Sequence, residues 1–141
     1  MIFALLLGAW PVAAEPSYCT RNGMGVNAEG KEASPFIFID YVITSVTGIR
    51  AACGADTSID REFWRNYYRY KGCSDDSFIG KTMMKTVEKT IARSERQGQQ
   101  AKTSNPEKLA SLCRRVDSCI MPSIYPPPDD GTACIGPNAL K

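Results

Sequence analysis

Histidine is absent from all 141 residues. Without an imidazole there is no Ser-His-Asp triad, no Cys-His pair and no His-ligated zinc. The chain also lacks a Cys-x-x-Cys pair, a Ser-x-x-Lys pair and a glycine-rich phosphate loop. Those absences remove the common spacings for thiolate metal sites, serine-lysine chemistry and nucleotide cradles. Net charge is only +2, from 17 basic and 15 acidic side chains. Bulk charge of that size does not mark a nucleic-acid binder. No Asn-x-Ser/Thr sequon occurs, which favours a bacterial periplasm over a glycosylating pathway. No metal and no cofactor is expected.

What is present points to export. Residues 1–14 hold the apolar run Ile2 to Trp10, then Pro11, with Val12 and Ala14 set before Glu15. The run is too short to span a bilayer and reads as a secretory signal peptide. No Lys or Arg precedes it, and a buried N-terminal helix is the alternative. Six cysteines follow: Cys19, Cys53, Cys73, Cys113, Cys119 and Cys134. An even number of thiols behind such a leader reads as three disulfides, with fifteen pairings open, and as a periplasmic or secreted location. Metal binding competes poorly, because the nearest two thiols, Cys113 and Cys119, have five residues between them.

The rest, residues 15–141, has the size and composition of one compact domain, with 43% of the whole chain hydrophobic and 23% charged. An irregular arm over 15–34 leads to a first helix, expected to start at Pro35 behind Ser34 and to reach Cys53. Phe38, Val42, Val46, Ile49 and Cys53 set its helical spacing, although 36–43 fits a buried strand equally well by period. Asp40 and Arg50 interrupt the apolar stretch, so it cannot cross a membrane. A second helix runs from about Ile59 to Lys71, capped by Thr57 or Ser58 and closed by Gly72. A third follows the capping cluster Ser74 to Ser77 and is expected to stop near Gln97, before Gly98, with Ile79, Met83, Val87 and Ile91 as its apolar stripe. A polar linker, 97–103, then precedes a fourth helix opened by Ser104-Asn105-Pro106-Glu107 and burying Leu109, Leu112, Cys113, Val116 and Ile120. Pro122 ends it, and a proline-rich tail turns at Asp130-Gly131 before Cys134. The expected fold is all-α: a small four-helix, disulfide-stapled domain with irregular N- and C-terminal segments.

Geometry narrows the pairings. If the first two helices are antiparallel across the turn 54–57, the second, about 20 Å long, keeps Cys53 and Cys73 too far apart to bond. Cys19 then falls at the end where Cys73 lies, and Cys53 is left to a thiol in the last third of the chain.

Two charged patterns are candidates for function. Lys81, Lys85, Lys89 and Arg93 recur every four residues, with Arg96 on the same arc of about 120°, opposite the apolar stripe. Arg61, Arg65 and Arg69 repeat on the second helix among Phe63, Trp64, Tyr67, Tyr68 and Tyr70. Residues 61–96 hold nine bases and five acids. Arg61, Arg65, Tyr68, Arg69, Lys81, Lys85, Lys89 and Arg93 therefore form the expected partner-binding set. The plain alternatives are a solvated face for the lysines and core packing for the aromatics.

The expected partner is another envelope or secreted protein, met as inhibitor target, immunity partner or assembly neighbour. An anionic glycan or lipid surface is the next reading, and nucleic acid is disfavoured. No catalytic residue is assigned. An enzyme acting on envelope polysaccharide would need a carboxylate pair, for which Asp56, Asp60 and Glu62 are the candidates. The same three acids suit the start of a helix, where they complement its dipole.

Overall fold

A computed structural model describes residues 14–20, 39–129 and 133–135. Of the expected features, the leader over 1–13, the arm over 21–34, the helix start expected at 35–38 and the turn expected at Asp130-Gly131 lie outside the described residues. A short 3-10 turn, Ser17–Thr20, precedes α1 (Ile39–Ile43), a π-helical turn (Thr44–Gly48) and α2 (Ile49–Ala52), which run on as one rod. Then come α3 (Ser58–Tyr70), α4 (Phe78–Ser104) and α5 (Pro106–Asp117). The molecule is thus a four-rod all-α fold, with no strand among the described residues.

The first rod buries a different stripe from the expected one. Ile43, Val46, Thr47, Arg50 and Ala51 face inward, while Val42 and Ile49 are only half-covered. The polar members are admitted because they are bonded. Thr47 Oγ1 donates to Asp60 Oδ1 at 2.9 Å and accepts from Trp64 Nε1 at 2.7 Å. Arg50 Nε lies 3.2 and 2.9 Å from the two Asp60 oxygens, and its Nη2 donates to the Asp56 carbonyl at 3.0 Å. Asp60 itself is fully buried, so the ion pair stitches the first rod to α3 inside the core.

α4 is the central element and packs against the first rod, α3 and α5. Ser77 caps it by accepting from the Gly80 amide at 2.8 Å. Ile79, Met83, Val87 and Ile91 meet Phe63, Trp64 and Tyr68 of α3 in the apolar centre. The helix does not stop at Gln97 as the sequence suggests; it continues seven residues further, to Ser104. Gly98 is inside it because a Cβ there would collide with the Ala52 carbonyl: the residue permits a close helix approach and ends nothing. Gly72, by contrast, does close α3, in the left-handed region at φ 86°.

α5 is capped by Asn105, whose side chain accepts from the Lys108 amide, with Pro106 in the first turn; it ends at Asp117 and not at Pro122 as the sequence suggests. It has no fully buried residue. Leu109, Leu112, Cys113 and Val116 are half-covered, and Ile120, expected in the core, is 70% exposed.

Three disulfides hold these parts. Cys19 bonds Cys73, Cys53 bonds Cys113 and Cys119 bonds Cys134, with Cα separations of 5.4, 5.5 and 5.0 Å. The first two agree with the geometric argument from antiparallel helices. After Cys119 the chain folds back along α3: Met121 is buried, Asn66 Nδ2 donates to the Ser123 carbonyl at 2.8 Å, and the Tyr125 ring packs on Phe63. No helix among the described residues is long and apolar enough to cross a membrane.

Candidate functional site

The structure divides the expected partner-binding set. Tyr68 is 1% exposed and belongs to the core, which corrects its inclusion in the partner-binding set. Its hydroxyl donates to Asp75 Oδ1 at 2.9 Å, and burial followed by that bond pushes the phenol up to about 12. Arg69 grips the same Asp75 with two nitrogens. The guanidinium, helped by Tyr68, holds the Asp75 carboxyl down at about 2. Arg69 is therefore charge-neutralised at the mouth of the α3–α4 turn.

Arg61 is also engaged. It reaches across to α4 and donates Nε and Nη2 to the two Glu88 oxygens at 2.7 and 3.0 Å, while Nη1 donates to Thr57 Oγ1 at 2.8 Å. The bond to Glu88 raises the Arg61 pKa still further above the physiological range. An exposed pair of this kind contributes at most about 1 kcal/mol to stability. Its larger effect here is to occupy Glu88, the one carboxylate set between Lys85 and Lys89 along α4.

Lys81 has a loose ionic contact with Asp76 at 3.6 Å. Arg65, Lys85, Lys89 and Arg93 are exposed and have no carboxylate partner among the described residues. Lys85, Lys89 and Arg93 extend about 12 Å along one helix at 1.5 Å per residue. Their helix is fixed from behind by Met83, Val87, Ile91 and Ser94, all buried. The result is a cationic ridge whose intervening carboxylate, Glu88, is bonded to Arg61 of α3.

Beyond the ridge, an open cleft of about 630 Å³ lies between the end of the first rod and the later turns of α4. Ala51, Ala52, Gly54 and Ala55 line one side, and Glu95, Arg96, Gln99, Gln100 and Lys102 the other. It extends the polar surface without gathering a nucleophile or a metal-ligand set.

The candidate carboxylates do not converge. Asp60 is sealed against Arg50 and Thr47. Asp56 is exposed, accepts from the Ser58 amide at 2.9 Å and is lowered chiefly by that bond, the direction opposite to the one a general acid needs. Glu62 faces solvent. Asp56 thus serves the start of α3, and Asp60 serves the core. Among the described residues no three His, Cys, Asp or Glu side chains are placed to share a metal ion.

Sequence reasoning missed two features of the site. One is the Arg61–Glu88 latch, which joins residues 27 apart and becomes visible only when α3 and α4 lie side by side. The other is a tyrosine cluster formed by Tyr67, Tyr70 and Tyr125, since nothing in the local pattern ties 125 to α3. No protein-family model matches the chain, and no curated protein or solved structure is significantly similar to it.

Proposed function

We propose that this protein is an exported, non-catalytic helical platform that captures an acidic protein partner along the α4 ridge, acting as an inhibitor, immunity factor or assembly subunit. The observation that carries this reading is the set Lys85, Lys89 and Arg93: exposed, four residues apart, and unpaired among the described residues. Like charges at this spacing cost a helix a few tenths of a kcal/mol per pair, so local stability does not account for them. Because Arg61 holds Glu88, their field acts outward. A helix already fixed by its core contacts and by the bridged scaffold loses little further freedom on binding. Export is supported by the three disulfides, which persist in oxidising compartments such as the periplasm or the extracellular space.

The test is a double charge reversal, K85E with K89E, used as bait against the envelope fraction of the native host. Captured partner is expected to fall by about tenfold or more. The Tm should stay within ~2 °C, since both side chains are exposed. Equal capture by the variant contradicts the reading. Capture that is replaced by salt-sensitive binding to anionic polysaccharide or vesicles moves the ridge to a glycan or lipid surface. Clearing of a peptidoglycan gel by the oxidised protein substitutes an enzyme.

A further inference from the structure

The tyrosines of α3 take no part in the ridge. At 100° per residue Tyr70 lies about 140° round the helix from Arg65, on the edge covered by the returning segment 120–125. There Tyr67 and Tyr125 meet edge to face at 4.6 Å between centroids, and Tyr70 and Tyr125 at 5.3 Å. Tyr70 is 60% exposed, so the cluster opens to solvent. The Lys71 ammonium stands 5.8, 5.6 and 5.7 Å from the centroids of Tyr67, Tyr70 and Tyr125. All three distances fall within cation–π range. No carboxylate pairs with Lys71 among the described residues, so the rings are what its charge faces.

We propose that the Tyr67–Tyr70–Tyr125 cluster is a binding site for a quaternary ammonium group, with the Lys71 side chain as its resident occupant. A lysine ammonium is strongly hydrated and loses much of the ring attraction in shedding water. A trimethylammonium group donates no hydrogen bonds to water and carries the same charge, which is why aromatic clusters select it. Only a side chain has to move for exchange. The Lys71 backbone is held, its N–H donating to the Tyr67 carbonyl at 3.2 Å and its carbonyl accepting from Tyr18 Oη at 2.6 Å, while its four-carbon stem is half-exposed.

The rings themselves are pre-set. Tyr125 packs on Phe63 and Tyr67, and its segment is bonded to Asn66 and closed by the Cys119–Cys134 bridge. The shared chemistry is the trimethylammonium group, whether carried by a free metabolite or by a phosphocholine headgroup.

The experiment titrates choline chloride into the oxidised full chain, against sodium chloride at matched ionic strength, and follows tyrosine ring protons by NMR. Saturable shifts on Tyr67, Tyr70 and Tyr125 are expected. Lys71→Ala should tighten choline binding by about two- to fivefold, and Tyr70→Ala should weaken it by about the same factor. Tyr70 is the ring removed because its exposure leaves the fold intact. Co-sedimentation with phosphatidylcholine but not phosphatidylglycerol vesicles supports the site and names a headgroup. Choline saturation without vesicle binding supports it and names a soluble ligand. Shifts no larger than the sodium control overturn the proposal, as does choline affinity unaltered by Tyr70→Ala or not raised by Lys71→Ala.

Discussion

A carboxylate with no exposure to water has to find its partners inside the protein, and Asp60 finds them in Arg50 and Thr47. Removing it strands a buried guanidinium and leaves the Thr47 hydroxyl without its acceptor. Asp60→Ala is therefore expected to cost about 3–5 kcal/mol in urea denaturation. Asp56→Ala, four residues earlier and exposed, should cost about 1 kcal/mol, the scale of a lost end-of-helix bond. A loss for Asp60→Ala no greater than that for Asp56→Ala would contradict the assigned network. The sequence presents both acids as helix-start residues and does not separate them. A clue did exist, since Arg50 falls in helical register with Ile43 and Val46, where a charge belongs only if it is paired. Hydrophobic patterning counts apolar residues and so shifted the buried stripe toward Val42 and Ile49.

Among the elements, α4 departs furthest from its expected bounds. The stretch 97–103, whose only apolar side chain is Ala101 and which carries Gly98, reads as a linker, yet it is helical throughout. The apolar stripe fades there because α4 has passed the main core and meets backbone: Gly98 lies against Ala52. In an exposed helix a Gly-to-Ala change gains about 1 kcal/mol. At Gly98 the added methyl meets a carbonyl, and Gly98→Ala is expected to lose about 1–3 kcal/mol instead, measured as a lowered urea midpoint. A stabilised variant would refute the close contact. Two signals are where the sequence puts them, Ser77 opening α4 and Gly72 closing α3; elsewhere Thr57 makes no side-chain cap on α3, Asn105 and not Ser104 caps α5, and α5 ends at Asp117, before Pro122 is reached. The cationic repeat on α4 was legible because helical spacing is a property of the local chain. The pairing of Arg61 with Glu88 and the tyrosine cluster were not, because both depend on contacts between distant segments.

For the molecule as a whole, covalent links stand in for interior area. α5 buries nothing completely, and Cys53–Cys113 anchors it to the end of the first rod. Cys19–Cys73 ties the N-terminal 3-10 turn to the end of α3, and Cys119–Cys134 closes the segment that positions Tyr125. With sequence separations of 54, 60 and 15, each bridge contributes about 3–4 kcal/mol on a chain-entropy account. Ridge and tyrosine cluster both presuppose a scaffold locked in this way. The most direct test is a thiol count on protein from its native cell, under denaturing and non-reducing conditions, with peptide mapping of the bridges. The account predicts no free sulfhydryl and the pairs Cys19–Cys73, Cys53–Cys113 and Cys119–Cys134. Six free sulfhydryls, or a different pairing, would contradict it.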